Sequence, residues 1–239
     1  MTEVRKNNQI VQVKNNTLAR VSNTLLLTDK LLHEIEIRNT LPRDDFRVYI
    51  PDYFFQRFLI KKFGVLITNN TVAYSEIKNI KEINCTYDHT NISSLNGIEY
   101  FTSLIELRCG GNHISELDVS KNTALTHLDC GLNRLKNLDV SQNTALLSLD
   151  CRWNQLTELD VSKNTALTHL DCGLNRLKNL DVSQNTALLS LDCRGNQLTE
   201  LDVSKNTALT HLNCYKNHLK KIDILHNTAL LYDTSNSVN

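Results

Sequence analysis

The chain has 239 residues, of which 41% are hydrophobic, and equal numbers of basic and acidic side chains give it a formal net charge of zero. Proteins that bind nucleic acid or anionic membranes normally carry an excess of positive charge, so the charge balance argues against both classes. No apolar run approaches the length of a transmembrane helix, and the sequence therefore predicts no membrane span.

The first residues, Met1-Thr-Glu-Val-Arg-Lys-Asn-Asn-Gln, lead into no sustained apolar segment of secretory type. A cytoplasmic location is therefore expected, with export as the alternative. Further along, apolar residues recur at helical spacing behind the capping candidates Asn16 and Thr17. These apolar residues are Leu18, Val21, Leu25, Leu32 and Ile35. Residues 1–40 are thus predicted to be an N-terminal helical segment that acts in tethering or oligomerisation.

Residues 41–82 belong to the aromatic part of the chain, since all six Phe and five of the seven Tyr lie between Phe46 and Phe101. A helix is expected after Pro51, with Asp52 in its first turn, Lys61 and Lys62 in its last turn and Gly64 just beyond its end. A second short helix or turn is expected between positions 74 and 83. This aromatic bulk exceeds what one short helix needs for itself, so the segment is predicted to cover the apolar end of the part that follows.

From about Ile83 the chain repeats itself. All of its cysteines follow this repeat, with one gap of 24 residues and then gaps of 21, at Cys85, Cys109, Cys130, Cys151, Cys172, Cys193 and Cys214. The surrounding pattern is Leu-x-x-Leu-x-Cys-x-x-Asn-x-Leu-x-x-Leu-Asp-Val-Ser-x-Asn-Thr-Ala. A fixed period of this length, with leucines at these offsets, predicts a solenoid of leucine-rich repeats in which each repeat forms one coil.

The predicted fold is therefore an α/β solenoid. It has a leucine-rich repeat array over residues 83–239 with a parallel concave β-sheet, a helical N-terminal cap over residues 41–82 and an extra N-terminal helix. Residues 121–162 and 163–204 match at 41 of 42 positions and differ only at Trp153 and Gly195. After Ala229 the repeat decays, which predicts a weak C-terminal cap. Two parts of the chain are candidate sites of self-association: residues 1–40 and this weakly capped C-terminal end.

Each recurring residue has a structural role in this fold. Alternation along Leu125-Thr-His-Leu-Asp-Cys130 predicts a strand with one buried face. A buried asparagine three residues after each cysteine would satisfy backbone groups where the strand turns a corner; this ladder is Asn112, Asn133, Asn154, Asn175, Asn196 and Asn217. Aspartates near the second corner suit local bonds to backbone N–H groups; they are Asp118, Asp139, Asp160, Asp181, Asp202 and Asp223.

The cysteines allow a second interpretation, as disulfides or metal ligands. Zinc sites, however, need four converging ligands with short Cys-x2-4-Cys spacing, whereas this chain offers one cysteine per coil. A free cysteine that points into an apolar core packs as a small hydrophobe. A structural ladder of reduced thiols is therefore predicted, with no metal and no cofactor, and it fits a reducing compartment.

The repeat pattern from about Ile83 to Ala229 resembles the 21-residue cysteine-ladder class of bacterial leucine-rich repeats, which includes internalin-type and Bacteroidetes proteins. The stretches Ile50-Pro-Asp-Tyr-Phe-Phe and Ile98-Glu-Tyr-Phe-Thr-Ser-Leu also resemble the cap and first coil of that class. The resemblance implies protein–protein interaction. Relatives often carry an acidic calcium-binding loop in the cap, but the corresponding residues 64–72 contain no carboxylate, so calcium is not expected there.

Function is expected at the strand positions that point away from the core, which we call the concave face. Its candidate binding residues are Arg108, His127, Asp129, Asp150, Arg152, Trp153, His169, Asp171, Asp192, Arg194, His211 and Tyr215. Three interpretations remain open for them: a solvated face whose repetition reflects duplication, a protein-binding surface, and metal or catalytic use of the His and Asp columns. Trp, Tyr and Arg favour the second, because these types are enriched at binding hot spots.

No nucleophile with an orienting base and no glycine-rich phosphate loop is found among the motifs, so an enzyme is not expected. The sequence therefore predicts a non-enzymatic module that binds a protein partner through the concave face. A secreted or surface adhesin or effector of internalin type is one alternative, and a structural repeat scaffold without a binding role is another.

Overall fold

The computed structural model describes residues 2–6, 9–13, 46–86 and 91–233. The helical stripe predicted from Leu18 to Ile35 lies outside these residues. Two antiparallel strands form a sheet of their own at the start of the chain: β1 (Thr2–Lys6) and β2 (Gln9–Val13), with Thr2 opposite Val13. The sequence signal for this hairpin is the Asn7-Asn8 pair between the two strands, because Asn is favoured in two-residue hairpin connections.

The aromatic segment begins with β3 (Arg47–Tyr49), which pairs antiparallel with β4 (Thr71–Ala73). Between them lies α1 (Tyr53–Phe63), the helix that the sequence predicts. Its C-cap is Gly64, whose left-handed φ of 69° is a conformation that glycine adopts without steric cost. After β4 come the single turn α2 (Tyr74–Ile77) and β5 (Glu82–Asn84).

Asp52 links α1 to the first coil of the array. It is the N-cap of the helix rather than a first-turn residue as predicted, and its Oδ1 accepts the N–H groups of Phe54 and Phe55 at 2.9 Å each. Its Oδ2 accepts the N–H and hydroxyl of Ser93, at 2.9 and 2.7 Å, and the N–H of Ser94 at 3.2 Å. Although burial raises the pKa of Asp52, these hydrogen bonds outweigh it and hold the pKa below its ordinary value.

The array forms one eight-stranded parallel sheet in which sequence neighbours are also spatial neighbours. After β5 come strands of three residues, one per coil, and a last strand of two: β6 (Glu106–Arg108), β7 (His127–Asp129), β8 (Ser148–Asp150), β9 (His169–Asp171), β10 (Ser190–Asp192), β11 (His211–Asn213) and β12 (Tyr232–Asp233). From β6 to β11, residues that pair across strands are 21 positions apart, as Leu128 and Leu149 are. The sheet therefore carries the repeat of the sequence without slippage.

One continuous hydrophobic core runs from Val48 to Leu219 and joins the aromatic segment to the array. Within a coil, the inward positions predicted from the repeat are all buried: Leu125, Leu128, Cys130, Leu135, Leu138 and Val140. In the aromatic segment, Phe55 is fully buried and its ring lies 6.4 Å from that of Phe58 and 6.2 Å from that of Phe101. None of the helices in the described part of the chain has the length and apolarity needed to cross a bilayer.

Candidate functional site

The cysteine ladder lies inside the core. All seven cysteines are buried and none forms a disulfide, so each thiol contacts its neighbours in the core instead of solvent. Burial raises the pKa of the Cys109, Cys151 and Cys193 thiols well above the ordinary value, because a thiolate would be poorly solvated there. These groups are therefore protonated packing residues at neutral pH.

The predicted asparagine ladder is present and fully bonded. Asn154 is representative: its Nδ2 donates to the carbonyls of Cys130, Cys151 and Arg152, and its Oδ1 accepts the N–H of Leu135 at 2.9 Å. Each such amide reaches back to the preceding coil and closes the corner after the strand. The coils are thus joined by side-chain bonds as well as by the sheet.

A second asparagine ladder, which the sequence analysis did not identify, lies in the Asn-Thr-Ala part of each repeat. Its members are buried: Asn122, Asn143, Asn164, Asn185, Asn206 and Asn227. The Nδ2 of Asn164 donates to the carbonyls of Val140 and Asn143 at 2.9 and 2.8 Å, whereas its Oδ1 has no hydrogen-bond partner. The sequence signal was available, since this asparagine recurs at a fixed offset in every coil.

The aspartates near the second corner behave as the sequence predicts. The Oδ1 of Asp160 accepts the N–H of Ser162 at 2.8 Å, and equivalent bonds recur along the array. Because the Ser162 backbone and hydroxyl stabilise the carboxylate, the pKa of Asp160 is lowered. These side chains are exposed and stabilise a turn in every coil.

On the concave face, the first and third residues of each three-residue strand lie on the outward side, while the middle leucine is buried. The first-residue column alternates between histidine and serine. His127, His169 and His211 are exposed, and the Nδ1 of each lies 2.9 Å from the hydroxyl of the threonine before it. The threonine hydroxyls therefore hold the three imidazole rings in the same orientation. Successive rings are two coils apart.

The third-residue column holds four consecutive aspartates, Asp129, Asp150, Asp171 and Asp192, followed by Asn213. Each aspartate accepts the backbone N–H two residues later through Oδ1, at 3.0 to 3.1 Å. The side chains of Asp150, Asp171 and Asp192 are only 24%, 23% and 22% exposed. The column is therefore a half-buried row of carboxylates rather than a freely solvated one.

This arrangement raises the pKa values of two carboxylates in the row, Asp150 and Asp171. Burial, then repulsion from Asp171, raises the pKa of Asp150 to about 6, and the N–H and guanidinium of Arg152 oppose the rise only in part. Burial likewise raises the pKa of Asp171, with repulsion from Asp192 adding to it. The pKa of aspartate is therefore raised on the concave face and lowered at the second corner of the same coil. At the second corner the dominant effect is a hydrogen bond to the carboxylate.

The arginines lie along the aspartate row. Arg152 bridges two coils, with Nε 3.3 Å from Asp150 Oδ2 and Nη1 3.3 Å from Asp171 Oδ2. Arg194, in the equivalent place one unit later, has Nη1 3.5 Å from Asp192 Oδ2. At the N-terminal end of the face, Arg108 pairs with Glu106 instead. The two arginines thus form ion pairs with three of the four aspartates in the row.

Trp153 occupies a special backbone position. Its φ is 55°, and the equivalent residues of other coils, Leu132, Leu174 and Lys216, also have φ between 53° and 56°. This left-handed conformation is disfavoured for residues with a Cβ and is natural for glycine, which stands at Gly111 and Gly195. The one difference between the duplicated units therefore falls where the backbone itself favours glycine, and the Trp153 side chain is 53% exposed.

Most of the predicted binding residues thus lie on one continuous surface from β6 to β11. Tyr215 lies at its C-terminal end, where the Lys216 ammonium is 5.4 Å from the centre of the ring. Among the described residues no cluster of three or more His, Cys, Asp or Glu side chains could hold a metal ion. The surface has the chemistry of carboxylates, guanidinium groups, imidazoles and one large aromatic ring.

The chain matches no protein-family model and no curated protein, whereas several solved structures are similar to it. The functional domain of InlJ from Listeria monocytogenes, described as including a cysteine ladder, is 34% identical with a TM-score of 0.64. The match covers 79% of this chain and 47% of the solved chain of that functional domain, so this chain spans about half of the domain's length.

Two further structures share the fold at lower identity. A leucine-rich repeat protein of Leptospira interrogans is 23% identical, with a TM-score of 0.58, over 66% of this chain and 49% of its own. Internalin C2 of Listeria monocytogenes is 18% identical, with a TM-score of 0.57, over 77% of this chain and 93% of its own. Together with the buried cysteine and asparagine ladders, these similarities identify the chain as a leucine-rich repeat protein of the 21-residue cysteine-ladder class, with an internalin-like solenoid fold.

Proposed function

We propose that this chain is a non-enzymatic binding module whose concave face holds a protein partner. The observation that carries the proposal is the aspartate row. A carboxylate whose pKa is raised to about 6 is destabilised by its surroundings, and at neutral pH it lowers the stability of the fold. Asn213 occupies the same column and makes the same backbone bond, to the N–H of Tyr215 at 3.3 Å. The fold therefore does not need the carboxylates.

A group that costs stability and that the fold can replace is expected at a functional surface. Exposed Trp153 and Tyr215 and the arginines beside the row are the residue types that dominate binding hot spots. The similar solved structures are repeat proteins, which supports binding over catalysis. In this proposal residues 41–82 cap the core of the array, and residues 1–40 tether the module or mediate its self-association.

A cytoplasmic location is part of this proposal, and a secreted or surface adhesin or effector is the second candidate. The second candidate is favoured by one observation, the 34% identity to the functional domain of InlJ. Immunodetection of the endogenous protein in cytosolic, membrane and culture-medium fractions separates the two candidates.

The experiment that tests binding compares two charge-neutralising variants made in the same two coils. Asp150→Asn with Asp171→Asn alters the concave face, whereas Asp160→Asn with Asp181→Asn alters the second corner and serves as the matched control. Partners captured from cell extract are quantified for the wild type and both variants. Selective loss from the first variant is expected; equal capture by all three proteins contradicts the concave-face proposal and favours a scaffold without a binding role there.

A further inference from the structure

The charges along the concave face are unequal within the duplicated part of the array. Each two-coil unit contributes two aspartates to the row and a single arginine, so one carboxylate per unit remains uncompensated. In the first unit, Arg152 contacts Asp150 and reaches on to Asp171, while Asp129 has no ion-pair partner among the described residues. The row therefore carries net negative charge, which a cationic ligand would complement.

The spacing of the row restricts the ligand further. Neighbouring strands of a sheet are about 4.8 Å apart, so equivalent groups two coils apart are separated by about 9.6 Å along the solenoid axis. Asp129 and Asp171 have this relation, as do Asp150 and Asp192. The fixed histidine rings of His127, His169 and His211 repeat with the same period. A matching ligand repeats its cations at this interval.

Among regular polypeptide conformations, the polyproline II helix matches this interval well. It rises about 3.1 Å per residue with three residues per turn, so every third side chain recurs on the same side after about 9.3 Å. An α-helix rises about 1.5 Å per residue and its seven-residue repeat is about 10.5 Å, which drifts out of step with the coils. A polyproline II chain that runs along the axis therefore fits this interval, and an α-helix does not.

Apolar groups flank the row on both sides. Trp153 and Leu132 project from the left-handed corner that follows the strands, and Leu147 and Leu189 lie just before the strands; all four are exposed. Known grooves for polyproline II peptides are lined by aromatic side chains, and Trp153 is the aromatic residue beside the middle of the row. The concave face therefore offers apolar side chains to the backbone of such a ligand and carboxylates to its cations.

We infer that the concave face binds an extended basic polypeptide of polyproline II type that runs along the solenoid axis and carries Lys or Arg at every third residue. This inference rests on the proposed function, because it names the partner chemistry of the same face. Its two cation positions are the carboxylate pairs Asp129 with Asp150 and Asp171 with Asp192. Each position contains two aspartates and is followed by one arginine, Arg152 or Arg194.

Synthetic peptides test the inference directly. The probe is four repeats of Pro-Pro-Lys; the spacing control is four repeats of Pro-Pro-Pro-Lys, with the same charge, and the sign control is four repeats of Pro-Pro-Glu. Trp153 is the only tryptophan in the chain and lies beside the row, so its fluorescence reports binding, with calorimetry as a second readout. We expect the probe to bind about tenfold more tightly than the spacing control, a difference of about 1.4 kcal/mol. The acidic peptide should not bind.

Variants then locate the site. Asp150→Asn with Asp192→Asn should weaken binding of the probe about fivefold or more, since it removes one carboxylate from each cation position. Asp160→Asn with Asp202→Asn should leave binding unchanged. Equal affinity for both lysine spacings, or no binding of the probe, overturns the inference whatever the variants do. If the probe fails while captured partners still depend on the concave face, only the partner chemistry is wrong and the proposed function stands.

Discussion

The Nδ2 of Asn213 donates a hydrogen bond to Oδ2 of Asp192 at 3.0 Å, so the last coil of the aspartate row has an amide where the four coils before it have carboxylates. The amide keeps the bond to the backbone and replaces repulsion between neighbouring coils with attraction. It gives a natural precedent for substituting asparagine elsewhere in the column.

Asp150→Asn is therefore expected to stabilise the protein at pH 7 by about 1 kcal/mol, after allowance for the lost pairing with Arg152. The folded-state pKa of about 6 lies above the ordinary value of 3.8, so the folded state binds the proton more tightly than the unfolded state. The contribution of Asp150 to stability thus improves as pH falls from about 6 to about 4, and the advantage of the variant should vanish there. Urea unfolding of the wild type and the variant at pH 7 and at about pH 4 measures the difference in stability.

Asp160→Asn is the control for this experiment. The pKa of Asp160 is lowered, so its ionised form stabilises the fold above the ordinary pKa and the contribution is lost as pH falls. Its neutral variant should gain no stability at pH 7. Stabilisation of the same size at both sites would mean that general surface charge, and not the half-buried row, is responsible.

Substitutions at Trp153 separate backbone strain from side-chain contacts. Because φ is 55° there, Trp153→Gly should be more stable than Trp153→Ala by about 1 kcal/mol, the reverse of the usual order. Thr157, an exposed residue without positive φ, provides the control pair, in which alanine should be the more stable. Thermal unfolding of the four variants measures both differences, and a more stable alanine at position 153 would contradict the assigned backbone conformation.

The two asparagine ladders should differ in energy although both are buried. Asn154→Ala leaves the N–H of Leu135 without a partner and removes one of the two amide donors to the carbonyls of Cys130 and Cys151, and a cost of about 3 kcal/mol is expected. Asn164→Ala removes two donated bonds and also an unpaired oxygen, so about 1 to 2 kcal/mol is expected. Chemical denaturation of both variants tests the order. Equal costs would show that burial, and not hydrogen-bond completion, sets the effect.

The cysteines should be unreactive in the folded state. Because all seven thiols are buried, a thiol reagent should modify few of them in the native protein and all of them after unfolding. Cys151→Ser should destabilise by about 1 to 3 kcal/mol, since a buried hydroxyl is poorly paired in this core, and Cys151→Ala separates lost volume from added polarity. Rapid native labelling, or a disulfide found by mass spectrometry, would overturn the ladder.

The proposed cap is tested at Asp52, whose two oxygens hold different parts of the chain. Asp52→Ala removes the N-cap of α1 and the bonds to Ser93 and Ser94, with an expected cost of about 2 to 4 kcal/mol. Since the pKa of Asp52 is lowered, its contribution is present at neutral pH and lost in acid. Asp52→Asn should keep the helix cap and lose part of the link to the coil. If Asp52→Ala matches the wild type in aggregation and stability, the aromatic segment does not cap the array.

The repeated core could be predicted from sequence because every coil restates the same constraint. The cysteine positions, the first asparagine ladder and the register of the sheet all follow from a period of 21 with leucines at fixed offsets. The second asparagine ladder recurs just as regularly, but an asparagine beside Thr and Ala is also typical of a solvated turn, and stacking against the preceding coil decides that it is buried. Burial there depends on contacts 21 to 24 residues away.

The concave face could be predicted only as a set of residues. The columns are fixed by alternation along the strands, but the pKa of Asp150 depends on how deeply neighbouring coils bury it and on how far Arg152 reaches. Trp153 illustrates the same limit. The sequence shows that the residue is unusual, but the left-handed backbone conformation that favours glycine at this position is seen only in the structure of the coil. For Asp52 the sequence places the residue within one position, and its bonds to the first coil come from the tertiary fold.

The ladder bonds described above reach back one coil and no further, and the two 42-residue units are interchangeable. Recombination between the corresponding stretches of the gene would therefore add or remove whole units and preserve the contacts between neighbouring coils. Each copy gained would lengthen the concave face by about 9.6 Å and extend its charge pattern in phase. If the concave face binds an extended partner as proposed, the number of copies would set the length of partner that the array can hold.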